Sequence, residues 1–185
     1  MVALLGFGTI LFFGYGGVLL MRFAQARDVR EVVMGQGPWW AWIGGGLLLG
    51  WLLGLLAWRV ADSTLLAPSM DRYTRRIGPL MGHRSDRILV SICAGVGEEV
   101  FFRGALQFWL GIPITAVLFV AIHGYLDPRD RRLSIYGLFM TACMLLLGWL
   151  AEHHGLLAPM AAHTMIDVVL LERLHARWRA RQGAV

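Results

Sequence analysis

The chain of 185 residues is 57% hydrophobic and only 16% charged, and its mean hydropathy is +0.61. A soluble domain of this length carries about 45–50% apolar and roughly 25% charged residues. The excess lies in long apolar blocks, which excludes disordered, collagen-like and disulfide-framework classes and argues against a water-soluble enzyme. We therefore expect an all-α, polytopic membrane protein with one membrane domain, residues 1–185.

The charge balance is basic, with 17 arginines and no lysine against 12 acidic residues, which gives a net charge of +5. The arginines lie between apolar blocks, so we interpret them as marking loops held at the cytoplasmic face, and we expect no nucleic-acid partner. Cys93 and Cys143 both fall inside apolar blocks. We expect them to be buried thiols without a chemical role.

Six apolar blocks approach the length of about 20 residues that a helix needs to cross a bilayer. In chain order they are residues 2–21, 39–58, 88–110, 112–126, 133–150 and 155–171. They lack the alternation of barrel strands, so helices are the expected spanning elements. Only Gly111 separates the third block from the short fourth one, which predicts a tight helical hairpin. The first block is too long for a signal peptide and has no basic segment before it, so we expect a span.

Arginine is distributed unevenly between the two sides that these spans define. With the N-terminus inside, the cytoplasmic segments hold Arg59, Arg72, Arg75, Arg76, Arg84, Arg87, Arg129, Arg131, Arg132, Arg173, Arg177, Arg179 and Arg181. The opposite side holds only Arg22, Arg27 and Arg30. This bias predicts that both termini are cytoplasmic. The all-arginine composition fits a GC-rich genome, so we expect the lipid bilayer to be a bacterial inner (cytoplasmic) membrane.

Two stretches lie outside the predicted spans. Residues 59–87 are a basic, partly amphipathic connector interrupted by Pro68 and Pro79, and we expect it to lie along the inner surface. Residues 172–185 are an arginine-rich tail, expected as a surface helix or a frayed end. The chain then divides into two N-terminal spans (1–58), the connector, a four-helix catalytic core (88–171) and the tail.

Six ionisable side chains lie inside otherwise apolar spans, at an insertion cost of about 2.5–3.5 kcal/mol each. They are Glu98, Glu99 and Arg103 in the third span, His123 in the fourth, and His163 and Asp167 in the sixth. Taken singly, each has an ordinary structural explanation, such as a helical ion pair or an interfacial histidine. Taken together, they predict a polar cavity in the cytoplasmic half of the bilayer that opens to the cytoplasm.

The spacing of these residues divides them into groups. Glu99 precedes Arg103 by four positions, the preferred order for a helical ion pair. Glu98 points about 100° away from Glu99 and is left free for another role. His163 and Asp167 are also four apart and share a helix face. That spacing would let Asp167 accept a ring N–H of His163 and orient the imidazole.

Three motifs carry a resemblance to a known family: Glu98-Glu99-x-x-x-Arg103, Phe119-x-x-x-His123 and His163-x-x-x-Asp167. Their order and separation, over roughly residues 87–171, resemble the CAAX-protease and bacteriocin-processing (CPBP) intramembrane proteases, which include the Ras-converting CAAX prenyl endopeptidase. The resemblance implies a peptidase that cleaves with a glutamate-activated water.

On the matching positions, the resemblance implies roles for six side chains. Glu98 is the expected general base, and His123 is expected to hold and polarise the water. His163 and Asp167 would face the oxyanion, and Glu99 with Arg103 would be a supporting pair. The family's last motif often ends in Asn, and Asp also occurs; the residue here is Asp167, whose negative charge bears on the oxyanion role.

The same residues support this chemistry without the family. A carboxylate in a low-dielectric site can accept a proton from water, and histidines can donate to a developing oxyanion. We expect no cofactor. The alternative is a zinc-dependent peptidase in which Glu98, His123 and His163 are the metal ligands, although no HExxH motif is present.

Two further classes of protein remain open. One is a non-catalytic family member that acts as an immunity protein or membrane scaffold. The other is a small transporter that uses the buried carboxylates as a proton path, although the chain shows no inverted repeat. The expected partner of a peptidase is a membrane-associated protein or peptide substrate, whose identity the sequence does not give.

Overall fold

A computed structural model describes residues 2–183, and every regular element in this range is helical, as the composition predicts. In chain order the helices are α1 (residues 2–24), α2 (Val29–Met34), α3 (Trp39–Ala61), α4 (Ala67–Ile77), α5 (residues 84–110), α6 (residues 112–122), α7 (Arg131–His154) and α8 (Leu157–Gln182). A short 3-10 turn, Gly78–Leu80, follows α4. Wider π-helical turns interrupt α1 at Ile10–Tyr15 and Leu20–Ala24.

Four helical segments are long and apolar enough to cross a membrane, which identifies an integral membrane protein. They are Leu4–Ala24, Trp39–Ala61, Arg84–Ile122 and Arg131–His154. The third contains both α5 and α6. The segment predicted as a sixth span lies in α8, where Asp167, Glu172 and Arg173 interrupt the apolar run. A total of six crossings therefore stays a prediction.

The predicted hairpin between the third and fourth blocks is confirmed at Gly111. This residue has φ 70° and ψ 171°, a backbone conformation that a side chain would strain, and Pro113 follows it. Beyond it α6 runs back along α5, so that the rings of Phe102 and Phe119 lie with their centres 5.0 Å apart. The hairpin thereby returns the end of α6 to the middle of α5.

Two predicted boundaries are wrong. The fourth block was expected to extend to residue 126, but α6 ends at Ile122 and His123 is its C-cap. The sixth block and the basic tail are one helix, because α8 continues without a break to Gln182. Ala184 and Val185 of the predicted tail lie outside the described residues.

Helices α3 and α8 pack closely through small residues. Gly46, Gly50 and Gly54 recur at intervals of four on one face of α3 and are buried. A Cβ atom at Gly50 would lie only 2.2 Å from the backbone oxygen of Ala162. Rows of small residues allow such a close approach between membrane helices. On its other side, α8 packs against α5 in the interior of the bundle.

The direction of the helices brings the basic segments together. α1 runs alongside α5 in the same direction, with Gly6 near Cys93 and Gly17 near Phe101. α8 runs opposite to α5, and Arg87 near the start of α5 binds Glu172 with two contacts of 3.1 Å. The start of α1, the start of α5 and the end of α8 therefore lie at one end of the bundle. We call it the basic end.

The connector is more than a surface segment. Its helix α4 packs on α8 at the basic end, where Asp71 binds Arg177 at 2.9 Å and also contacts Arg181. The Ser69 hydroxyl donates to Asp130, just before α7, at 2.8 Å. α4 thus bridges α7 and α8 across the basic end of the bundle.

Candidate active site

A close approach between α5 and α8 places the first and third motifs side by side. A Cβ atom at Gly95 would lie 2.2 Å from the Thr164 hydroxyl oxygen, so only glycine allows this contact. One turn later, Glu98 and Glu99 lie opposite His163. Directly after Glu99 the helix widens into a π-helical stretch, Val100–Leu106, a distortion that often accompanies functional sites.

Glu99 lies at the centre of a fully buried cluster. Its Oε1 is 2.9 Å from Nη1 of Arg103 and accepts a hydrogen bond of 2.9 Å from Nδ1 of His163. The Arg103 guanidinium lies 4.6 Å from the ring centre of Phe119 and donates to the Met144 sulfur at 3.0 Å. The sequence predicts the contact between Glu99 and Arg103, and the structure adds His163 to it. We call Glu99, Arg103 and His163 the buried cluster.

Glu98 faces the other way. Its Oε2 lies 3.4 Å from Nε2 of His123 and 4.0 Å from Nε2 of His163. Within the described residues this oxygen has no hydrogen-bond partner, although its side chain is only 12% exposed. The two histidines come from α6 and α8, so the structure brings all three predicted motifs to one carboxylate.

The orientation of His123 depends on Phe119. Nδ1 of His123 lies 2.7 Å from the Phe119 carbonyl oxygen, and the two rings stack with centres 4.4 Å apart. A ring N–H at Nδ1 therefore donates to the backbone, and Nε2 is turned toward Glu98. Phe119 also meets His163 edge-on at 5.4 Å. In the sequence, Phe119 is only a position in the second motif. In the structure, its ring packs against both His123 and His163.

Asp167 does not orient His163 in the way that the spacing predicts. Its Oδ2 lies 3.7 Å from Nε2 of His163, while Nδ1 of the same ring is bound to Glu99. Glu99, 64 residues away in the chain, therefore fixes the imidazole. Spacing within one helix places Asp167 near His163, at 3.7 Å, but it does not reveal Glu99, the carboxylate that α5 presents to the same ring.

A cavity of about 260 Å³ opens next to these groups, with Glu98, His123, His163 and Asp167 in its wall. We expected this cavity to be polar, and that expectation is wrong. Most of its lining is apolar or aromatic and comes from α3, α4, α7 and α8. Among these residues are Trp58, Met70, Tyr73, Tyr136, Met144 and Leu170. Apolar walls with a few convergent polar groups are typical of sites that bind organic ligands.

A second cavity, of about 1060 Å³, lies at the opposite end of the bundle and is lined mainly by polar residues. It reaches Arg103 and Gln107 but not Glu98 or either motif histidine. The four predicted catalytic residues, Glu98, His123, His163 and Asp167, therefore lie at the smaller, apolar cavity. Within residues 2–183, no group of three His, Cys, Asp or Glu side chains has an arrangement that could hold a metal ion.

The fold and the site define a helical membrane protein in which Glu98 and two histidines, His123 and His163, meet at an apolar cavity. Residues 85–169 carry the domain of one family, described as "Rce1-like: Type II CAAX prenyl endopeptidase Rce1-like". The description of this family domain refers to an endopeptidase. All six predicted site residues fall inside this domain, whereas α3 and α4 lie outside it.

The chain is also 38% identical over 85 residues to "Uncharacterized protein YpbD" of Bacillus subtilis (strain 168). That match covers 44% of this chain and 42% of YpbD, so it spans less than half of the relative's length. No solved structure matches the chain.

Proposed function

We propose that the protein is an intramembrane endopeptidase that hydrolyses a peptide bond of a membrane-associated protein or peptide. The proposal depends on one observation above all. Glu98 lines an apolar cavity, and its buried Oε2 has no hydrogen-bond partner among the described residues, although the Nε2 atoms of His123 and His163 lie within 4.0 Å. The family of the domain that contains these residues supports the same activity.

In the first step, Glu98 acts as the general base. Its Oε2 accepts a proton from water, and the resulting hydroxide attacks the carbonyl carbon of the bound peptide. His123 assists at the same place, because the Phe119 carbonyl holds its Nδ1–H and leaves Nε2 to contact the water. The apolar cavity wall excludes other water and strengthens these electrostatic interactions.

In the second step, His163 stabilises the oxyanion. Its Nδ1–H is bound to Glu99, which turns Nε2 toward the cavity. Carboxylates of Glu98, Glu99 and Asp167 all lie within 4.0 Å of its ring nitrogens, and we propose that this charge favours an imidazolium. The Nε2–H then donates to the oxyanion. Glu98 finally passes its proton to the leaving amine as the C–N bond breaks.

We also propose six membrane crossings, with both termini cytoplasmic in a bacterial inner membrane. Support comes from the basic end, where the start of α1 and the end of α8 lie together with the arginines of α4 and α8. In this orientation the catalytic cavity, whose lining includes α4, is on the cytoplasmic side.

A cleavage assay in proteoliposomes tests the activity. The wild-type protein is incubated with a random peptide library of apolar sequences, and new termini are identified by mass spectrometry. Glu98→Gln is compared with Glu152→Gln, which removes a carboxylate from an exposed position far from the cavity. We expect wild type and Glu152→Gln to cut the same sequences and Glu98→Gln to cut none. A wild-type protein that cuts nothing, or an equally active Glu98→Gln, would contradict the proposal.

Metal removal tests the zinc alternative. With Glu98 as the base, we expect cleavage to survive exhaustive chelation and dialysis, and elemental analysis to find far less than one zinc per chain. Loss of cleavage on chelation, followed by recovery when zinc is returned, would instead support Glu98, His123 and His163 as metal ligands.

A further inference from the structure

Two tyrosine hydroxyls face each other in the wall of the catalytic cavity. Tyr73 of α4 and Tyr125, just after α6, lie with their Oη atoms 3.4 Å apart, and either atom can be the donor. The Tyr125 ring is also stacked against His123, with centres 6.3 Å apart and an interplanar angle of 14°. The hydroxyl pair therefore lies beside the proposed reaction centre, on the side of the connector.

The rest of this part of the cavity offers a bound peptide few hydrogen bonds. Apart from the proposed catalytic residues, the lining side chains that carry a polar hydrogen are those of Tyr73, Tyr125, Tyr136 and Trp58. A peptide that enters an apolar cavity loses the water bound to its backbone carbonyls, and each unsatisfied carbonyl is costly. In the tyrosine pair, one hydroxyl hydrogen is used between the two residues and the other remains free.

We propose that Tyr73 is a substrate-positioning residue whose hydroxyl, paired with that of Tyr125, donates a hydrogen bond to a backbone carbonyl oxygen of the bound peptide. This inference rests on the proposed peptidase function and specifies how the substrate is held. The acceptor lies near the scissile bond, because Tyr125 is stacked against His123. Burial raises the pKa of Tyr73, so its hydroxyl remains a donor across the physiological range.

The position of α4 is fixed well enough for this role. Ser69 and Arg72 bind Asp130 before α7, and Asp71 binds Arg177 of α8, so the turn of α4 directly before Tyr73 is held from two sides. α4 also lies outside the family domain, which begins at residue 85. Tyr73 therefore gives this chain a substrate contact that the family motifs do not encode.

The test measures steady-state cleavage of the best-cut library peptide by Tyr73→Phe in proteoliposomes. Phenylalanine keeps the ring and removes only the hydroxyl. The matched control is Tyr15→Phe, since Tyr15 is exposed on α1 and does not line the cavity. Loss of one neutral hydrogen bond made equally in the ground and transition states should raise KM roughly three- to tenfold and change kcat less than about twofold.

A second measurement identifies the acceptor. Peptide analogues are prepared in which one amide at a time is reduced to a methylene amine, which removes a single carbonyl oxygen. One analogue should raise KM for the wild type but cause no further increase for Tyr73→Phe, as expected for two changes that delete the same contact.

Three outcomes would overturn the inference. An unchanged KM shows that the hydroxyl does not contact substrate. A fall in kcat together with a lower melting temperature shows a structural role, and an increase in KM that is the same for every analogue excludes a specific acceptor. If the wild type cuts no peptide, the proposed function fails and the inference fails with it. A cleaving wild type with an unaffected Tyr73→Phe overturns the inference alone.

Discussion

Glu98 and Glu99 are adjacent in the chain, yet they lie in two different regions of the site. Glu99 belongs to the buried cluster, where Oε1 has both Arg103 and His163 at 2.9 Å and the side chain has no exposed surface. Glu98 lies on the cavity side, where its Oε2 has no hydrogen-bond partner among the described residues. One step of about 100° around a helix produces this difference. The sequence pair therefore encodes one structural carboxylate and one available for chemistry.

The two regions are also coupled through a single ring. His163 donates from Nδ1 to the buried carboxylate, while its Nε2 faces Glu98 at 4.0 Å. The position of the His163 ring is thus fixed by Glu99, a group that does not line the cavity, while its Nε2 lies at the cavity side. Variants of the two glutamates should consequently fail in different ways.

Glu98→Gln should abolish cleavage, with a loss of at least about a thousandfold, because the amide cannot accept the proton of water. Folding should be unaffected or slightly improved, since the change removes a charge from a carboxylate that is only 12% exposed and has an unpartnered oxygen. Single-turnover cleavage and the melting temperature in detergent check the two halves of this prediction. A strongly destabilised Glu98→Gln would show that Glu98 is part of the structural cluster.

Glu99→Gln should mainly cost stability, by about 3–5 kcal/mol, because it leaves the buried Arg103 without its counter-charge. The measurement is the free energy of unfolding in detergent, or the yield of folded protein where unfolding is irreversible. The double variant Glu99→Gln with Arg103→Gln serves as the control. If the two side chains act as a pair, the double variant should be less destabilised than the sum of the single variants. Additive losses would contradict the pairing.

Asp167→Ala should reduce cleavage more than Asp167→Asn, by about tenfold. Asp167 approaches the same His163 nitrogen that we assign to the oxyanion, at 3.7 Å. Both substitutions remove a negative charge that opposes the oxyanion. Asparagine keeps a side chain that can form a hydrogen bond there, whereas alanine does not. Single-turnover rates of both variants across a pH series check this. An Asn variant no better than Ala at every pH would show that residue 167 contributes only its charge.

The sequence predicts the site residues better than their contacts. Glu98, His123 and His163 are conspicuous because ionisable groups are rare inside apolar helices, and the hairpin at Gly111 follows from a one-residue separation between blocks. The contact between His163 and Glu99 has no local signal, since it joins residues on two helices that approach only because Gly95 admits Thr164. Spacing within one helix favoured Asp167 as the partner instead.

The cavity wall was also beyond the reach of sequence patterns. Tyr73 and Tyr125 have no unusual spacing, and tyrosines near a membrane boundary are ordinary. α4 is recognisable as an amphipathic connector, but its position over the cavity depends on ion pairs with α7 and α8. Hydrophobic periodicity predicts which face of a helix is polar. Which helix packs against that face is determined by contacts between residues that are far apart in the sequence.

The ion pairs of α4 should contribute less than the buried groups do. Partial burial alone would raise the pKa of Asp71, but hydrogen bonds and charge from Arg181 and Arg177 hold it below its usual range. A lowered pKa in the folded state means that Asp71 contributes stability above about pH 4 and loses that contribution as the pH falls below it. Asp71→Asn should therefore lower the free energy of unfolding at pH 7 by about 0.2–1 kcal/mol, as is usual for exposed pairs.

The pH dependence and a matched variant make this prediction specific. The difference between wild type and Asp71→Asn should begin to shrink as the pH falls below about 4 and should vanish once the pH is below the lowered pKa of the folded-state carboxyl. Asp62→Asn is the control, because Asp62 binds the same Arg177 at 2.7 Å, belongs to no part of α4 and is 55% exposed. If α4 is what positions Tyr73, Asp71→Asn should also raise KM for the peptide substrate slightly, while Asp62→Asn should not. Equal effects of the two variants on KM would show that the anchoring of α4 does not matter for substrate binding.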